Sequence, residues 1–467
     1  MTSVCRPVLI SISLAFTSMM GTFCPAQTAV TVLHPVGATS SRARASSGDQ
    51  QSGNAVFAGV SRAGIWTSTQ ATFTDLHPMT ASESRAHGIS GHQQVGYAIF
   101  SGVTKAGLWN GVASSWMELH PAGATSSIAE STNGIQQVGF ARLGGINRAS
   151  LWTGTSSSWI DLNPPGSDNS YVYAVTQSYQ AGYARIGGVV RAGIWTGGAA
   201  TWIDLHPIGA TTSVVLGASE TQQAGYITSD GINRAVLWKG NAGSYVNLAP
   251  PAATQSFAYA CHNEMQAGLA TIGGITRAAL WFGTSSSFVD LHVMLPQQYS
   301  SSEARAISSD TTSINIAGFA TNSVTGLSEA ILWKIPVAHC NGTVDFGQLT
   351  AAYNTGANLP TSIPVSFRDA SNAEIATGSA TYNPVTGAFS AAVPGSVTVP
   401  YRVSFKLGFW LRKTMPNPSG AATPLGNYNF GTVTPLVGDS DLDNEVTNFD
   451  YSLWAAANGN SVTANTD

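Results

Sequence analysis

Arg62-Ala63-Gly64-Ile65-Trp66, followed ten residues later by Asp75-Leu76-His77-Pro78, decides the fold, because both pieces return at a fixed interval. The tryptophan recurs as Trp109, Trp152, Trp195, Trp238 and Trp281, each 43 residues after the last, and again as Trp333 after a longer step. The leucine keeps the same beat at Leu119, Leu162, Leu205, Leu248 and Leu291. After Trp333 the second piece is missing, since the chain continues Lys334-Ile335-Pro336. It stands instead ahead of the first repeat, as Val32-Leu33-His34-Pro35. A fragment absent from the last repeat and present before the first is what a circular array needs in order to close.

Each unit divides into four short strands, expected in the second unit at 84–90, 93–100, 105–109 and 115–119, with Gly91, Gly102 and Gly111 at the turns. Four strands in about 40–45 residues is the period of a β-propeller blade. Seven tryptophans predict an all-β, seven-bladed β-propeller over residues 27–336, the seventh blade taking its outer strand from 29–35.

The repeated residues are expected to serve packing. A second aromatic follows each Trp by seven residues (Phe73, Trp116, Trp159, Trp202, Tyr245, Phe288), filling the wedge between blades. Gly53, Gly96, Gly139, Gly182, Gly225, Gly268 and Gly318 hold a place where backbones approach closely. Gln51, Gln94, Gln137, Gln180, Gln223 and Gln266 read as amides satisfied between blades. Arg62, Lys105, Arg148, Arg191, Arg234 and Arg277 are matched, thirteen residues on, by Asp75, Glu118, Asp161, Asp204, Asn247 and Asp290. These are expected to be cross-strand ion pairs set directly opposite each other, rather than a basic ring gripping an anion. His34, His77, His120, His206 and His292 come one per blade around the rim, where they cannot share an ion, so strand-end capping is expected in place of metal binding.

Variation is concentrated on the innermost strand, at two positions flanking a small residue. The pairs are Arg42/Arg44, Arg85/His87, Ile128/Glu130, Tyr171/Tyr173, Val214/Leu216, Phe257/Tyr259 and Glu303/Arg305. Strand alternation places both members on one face. Two readings stand: drift at positions released from packing, or a ligand surface near the central channel. On the second, Tyr171, Tyr173, Phe257 and Tyr259 offer stacking platforms, with Arg85 and His87 as polar partners.

Composition bounds the function. Charged residues make up 9%, against about 25% in ordinary globular chains, and Gly numbers 49. The net charge of −4 gives no electrostatic case for nucleic acid or an anionic membrane. Residues 1–26 read as a secretory signal: Arg6, an apolar run over 8–20, and Cys24-Pro25-Ala26 at the cleavage position. No later segment could span a bilayer, so a secreted or cell-surface protein is expected. Cys261 and Cys340 are then the cysteines that remain, and no spacing argument says whether they pair.

The stretches Arg62 to Trp66, Arg148-Ala149-Ser150-Leu151-Trp152 and Arg234-Ala235-Val236-Leu237-Trp238 resemble the HAF repeats of extracellular bacterial proteins, whose hallmark reads His-Ala-Phe-Leu-Trp. The Ala and the Leu/Ile-Trp match; the His and the Phe are replaced. The resemblance implies export and a propeller-like array, and it supplies no catalytic residues.

Beyond Pro336 the beat stops. Segments 364–368, 387–390 and 401–406 alternate as half-buried strands, predicting a small β-sandwich over 341–436 like those appended to secreted bacterial proteins. Then Gly438-Asp439-Ser440-Asp441-Leu442-Asp443-Asn444-Glu445-Val446-Thr447-Asn448-Phe449-Asp450 places carboxylates at positions one, three, five and twelve of a calcium loop, with an exit helix over 449–458. This EF-hand-like end, 437–467, resembles one half of a type I dockerin. The resemblance implies calcium held by Asp439, Asp441, Asp443 and Asp450 through side chains, Glu445 through its carbonyl and Thr447 near a water. It also implies a cohesin-like partner, against which stands the lack of a second loop before Asp467. Truncation and a single stabilising loop are both open.

No nucleophile elbow, phosphate loop or metal motif stands out. The expectation is therefore a secreted, non-catalytic scaffold binding a glycan or extracellular protein, with no catalytic residue assigned. The rival is a polysaccharide-active enzyme, a hydrolase or lyase, for which Glu130 and Glu303 are the only acids at the variable inner positions.

Overall fold

Gly-centred turns fold each repeat back on itself, so that sequence neighbours pair as antiparallel hairpins. The computed structural model describes residues 29–68, 72–310 and 312–337, and beyond them 339–344, 362–368, 373–383, 386, 388–393, 402–405, 413–416 and 428–433. Within 29–337 the strands form seven four-stranded antiparallel sheets. In the second sheet the order is Glu83–Ser90, Gln93–Phe100, Val103–Trp109 and Met117–Glu118. The outer strand is shorter than the sequence suggests, because a 3-10 turn occupies Ala113–Ser115. There the Ser115 hydroxyl donates to the Val112 carbonyl and accepts the Asn110 N–H, holding the chain in a loop.

The last sheet closes as expected. Ala29–Val32 pairs antiparallel with Ser328–Pro336, in the register Ala29↔Lys334 to Val32↔Ile331. Its innermost strand, Tyr299–Ser309, packs against the innermost strand of the first sheet, Ser40–Ser47. Sheets joined in a ring by their inner strands make a β-propeller.

The core lies between sheets. Trp109 is fully buried and packs with Ala86 and Ile89 of its own sheet and Ala63, Ile65 and Leu76 of the preceding one. Trp66 does the same against Leu332, Ala317 and Leu33 of the last sheet, which carries the packing across the closure. Burying one such ring contributes about 4–6 kcal/mol before conformational entropy is subtracted. The second aromatic lies on the first: Trp116 is 4.7 Å from Trp109, over Gly107, where an added Cβ would meet the ring at 2.2 Å. Gln137, Gln180, Gln223 and Gln266 bridge sheets as expected, whereas Gln51 and Gln94 bond within their own sheet. Gln137 donates to Gln93 of the preceding sheet (2.9 Å) and accepts the N–H of Gly154 (2.7 Å).

In the C-terminal third, seven strands hydrogen-bond into one sheet, in which His339–Val344 pairs parallel to Tyr428–Val433 and antiparallel to Ala388–Ala392. Ile363, Val365 and Phe367 of Ser362–Arg368 are buried, but so is Ser366, so the alternation read from sequence holds only in the first half of the strand. The signal segment 1–26, the calcium loop with Asp439, Asp441, Asp443, Glu445, Thr447 and Asp450, and its exit helix lie outside the described residues.

Candidate functional site

The site begins with the repeated glycines. In the first sheet Ala43 pairs with Gly53 and Ala45 with Ser52, which leaves Arg44 with no partner in the ladder. That is a β-bulge, one extra residue on the inner strand, and it re-aims the side chain it carries. Gly53 makes room for it: a Cβ there would sit 2.0 Å from the Arg42 carbonyl oxygen. The same slip recurs in all seven sheets, at His87, Glu130, Tyr173, Leu216, Tyr259 and Arg305. These seven bulged residues line one cavity of about 540 Å³, where the inner strands converge.

Its wall is chemically divided. His87 Nδ1 lies 2.7 Å from Glu130 Oε2. Burial alone would raise the Glu130 carboxyl, but the His87 and Arg44 charges hold it below the usual carboxylate range. The other His87 nitrogen, Nε2, makes no hydrogen bond among the described residues. Across the cavity Arg305 lies 3.8 Å over the Tyr259 ring and pairs with Glu303. Burial pushes both the Tyr173 and Tyr259 hydroxyls up, so they stay protonated and able to donate. Cys261 is a free, buried thiol at the wall, which burial raises to about 12. The side chain of Cys340 lies outside the described residues.

Of the six candidate ligand residues, His87, Tyr173 and Tyr259 reach the cavity, and Tyr171, Phe257 and Arg85 do not. Both members of a pair do share a face: Tyr171 stacks on Tyr173 at 6.0 Å, and Phe257 on Tyr259 at 6.0 Å. Only the bulged member turns to the axis. The others pack on the second strand of the preceding sheet, Tyr171 against Phe140 at 4.7 Å and Phe257 against Tyr226 at 4.9 Å, while Arg85 meets Glu83 at 3.0 Å. Sequence reading passed over Arg44, Leu216 and Arg305 as site residues, although their place in the repeat was visible.

The other recurrent groups are absorbed by structure. His77 Nε2 donates to the Ala81 carbonyl (3.0 Å), and its Nδ1 meets the Ser84 hydroxyl (2.8 Å). Ser84 in turn accepts the N–H of Ala63 in the preceding sheet (2.9 Å). Asn163 fills the same role, donating to the Ser167 carbonyl and accepting from Ser170. Each is a fastener between neighbouring sheets. The ion pairs form, from Arg62–Asp75 at 2.6 Å to Lys105–Glu118 at 3.0 Å, but their geometry differs from the expectation. Asp75 stands opposite Gly64, two residues from Arg62, so the pair is diagonal. The reason is that Asp75 also accepts the His77 N–H, which fixes it to the turn. Where Asn247 replaces the acid it keeps that turn bond, and Arg234 bonds Ser229 instead.

No protein-family model matches the chain, and no curated protein matches it. Solved structures do. A puromycin hydrolase structure matches with a TM-score of 0.45 and 10% identity, over 73% of this chain and 58% of its own. The β-propeller domain of the Trilobed protease from Pyrococcus furiosus gives 0.43 and 10%, over 63% and 94%. An acylaminoacyl peptidase from Pyrococcus horikoshii gives 0.42 and 10%, over 73% and 57%. The chain thus spans less than two thirds of the length of either hydrolase.

Likeness at this level assigns no activity to this chain. The anticipated non-catalytic scaffold is corrected to this extent: it is not favoured by the structures matched, which include a puromycin hydrolase and acylaminoacyl peptidases.

Proposed function

We propose that the axial cavity is the active site of an enzyme, in which a small molecule or chain end lies against Tyr173 and Tyr259 while His87 moves a proton to or from it. The observation that carries this is the His87–Glu130 hydrogen bond inside the cavity. A carboxylate bonded to one imidazole nitrogen orients the ring and stabilises its charged form, leaving the other nitrogen for proton transfer. The 540 Å³ volume suits a small-molecule ligand. On this reading the ring is a closed, seven-bladed propeller of an exported protein, and the acidic C-terminal loop holds calcium as a stabilising element.

The test is a panel of sugars, sugar acids and short peptides, followed by proton NMR in D2O for bond cleavage or loss of a C–H signal. One class should turn over, with His87→Gln slowed by about 100-fold or more. Tight binding by the wild type with no turnover of any class, and equal binding by His87→Gln, would sink the proton-transfer role.

A further inference from the structure

Around the axis, charge is not balanced. At the paired inner-strand positions and beside them, four guanidiniums (Arg42, Arg44, Arg85, Arg305) face three carboxylates (Glu83, Glu130, Glu303), in a chain whose net charge is −4. The carboxylates are already engaged: Glu83 with Arg85, Glu303 with Arg305, and Glu130 with His87. Arg42 lies over the Phe319 ring at 4.5 Å and donates to Ser328. Arg44 alone among the four has neither an ion pair nor a hydrogen bond among the described residues, and its Nε is completely buried. It lines the cavity next to Arg305 in ring order.

We infer that Arg44 is the recognition residue for a carboxylate on the molecule that occupies the axial cavity. A half-buried guanidinium whose Nε is sealed from solvent and unpaired is costly, and a protein tolerates it where a ligand completes the pair. The guanidinium fork matches a carboxylate in two parallel hydrogen bonds, which a point charge cannot do. The neighbouring charges sharpen the case. Burial, and then Arg305 and Arg85, lower Arg44 to about 10 against the smaller opposing pull of Glu130, so an incoming anion relieves a repulsion already present. The wall beyond is aromatic, with Tyr259 and Tyr173, so the carboxylate is carried on a ring. A sugar acid and an aromatic acid share that chemistry.

This inference rests on the axial cavity being the ligand site, and the test separates the two. Calorimetric titration of the full chain uses glucuronate against glucose, and benzoate against benzyl alcohol. The two pairs distinguish a sugar acid from an aromatic one. At least one carboxylate should bind while its neutral counterpart does not. Arg44→Gln should weaken that binding by about tenfold or more, and Arg44→Lys should restore part of it. Arg44→Gln should also melt no lower than the wild type, since it removes an unpaired charge. Leu216→Trp, which fills the cavity, should abolish binding. A ligand blocked by Leu216→Trp but indifferent to Arg44→Gln would overturn the carboxylate inference and keep the cavity. A ligand indifferent to both would overturn the cavity itself. Equal binding of acid and neutral partner, or no heat from either carboxylate at millimolar concentration, would also end the inference.

Discussion

The fastening histidines show how much one side chain can settle. The carbonyl of Ala81 can only accept, so Nε2 of His77 carries the proton and Nδ1 must accept from the Ser84 hydroxyl. A second proton on that ring would leave Ser84 with two donors aimed at its oxygen. Consistent with this, burial lowers His77, His206 and His292, with Arg62, Arg191 and Arg277 adding to the effect. Folded values below the ordinary 6.5 mean that the native protein binds fewer protons than the unfolded chain in mild acid. Stability from this source is complete above about pH 6.5 and is lost as pH falls through the folded values. Urea midpoints should therefore drop between about pH 7 and pH 5, and Ser84→Ala should shift the curve. A flat profile would refute the fastener. The histidine spacing was legible in sequence. The partner serine, seven residues on, was not, because its role depends on an N–H in another sheet. Arg44 stood among the variable inner positions but was not singled out, for a related reason: an unpaired charge is defined by what its neighbours do, and pairing is settled in three dimensions.

At the level of the strand, alternation misled in one respect. Period two correctly put Tyr171 and Tyr173 on one face, but it has no way to show which of the two meets the axis. The bulge decides that, and its trace in the sequence is the glycine opposite. Gly96 therefore does more than pack. A Cβ there would stand 1.9 Å from the Arg85 carbonyl oxygen, so Gly96→Ala must push the strands apart or straighten the bulge. We expect a loss of roughly 1–3 kcal/mol or more by chemical denaturation, together with weakened ligand binding, because His87 would turn from the cavity. Gly102→Ala is the control. It has a positive φ of 79° but open space around it, so it should cost stability through the backbone alone and spare the site.

Taken whole, the last sheet owes its outer strand to four residues from the other end of the ring. Ala29–Val32 covers the edge of Ser328–Pro336, and Leu33 behind it is fully buried against the first sheet. Deleting residues 29–32 should expose an unpaired strand edge and free the last sheet, giving a lower melting temperature and concentration-dependent association in ultracentrifugation. A monomer with unchanged melting would show that the closure adds nothing. Ring topology was readable from the displaced Leu-His-Pro fragment alone, since closure is a matter of sequence order. The contents of the axis were not, since they are assembled from repeats far apart in the chain. That separation has a consequence for how such a molecule can change. The bulged residues are excused from the ladder, so each can be exchanged without disturbing strand pairing, and no two come from the same repeat. The ring behaves as a lock with seven tumblers, His87 touching Glu130 and Arg305 touching Tyr259: a library varying residues 44, 87, 130, 173, 216, 259 and 305 would re-cut the key while leaving the barrel untouched.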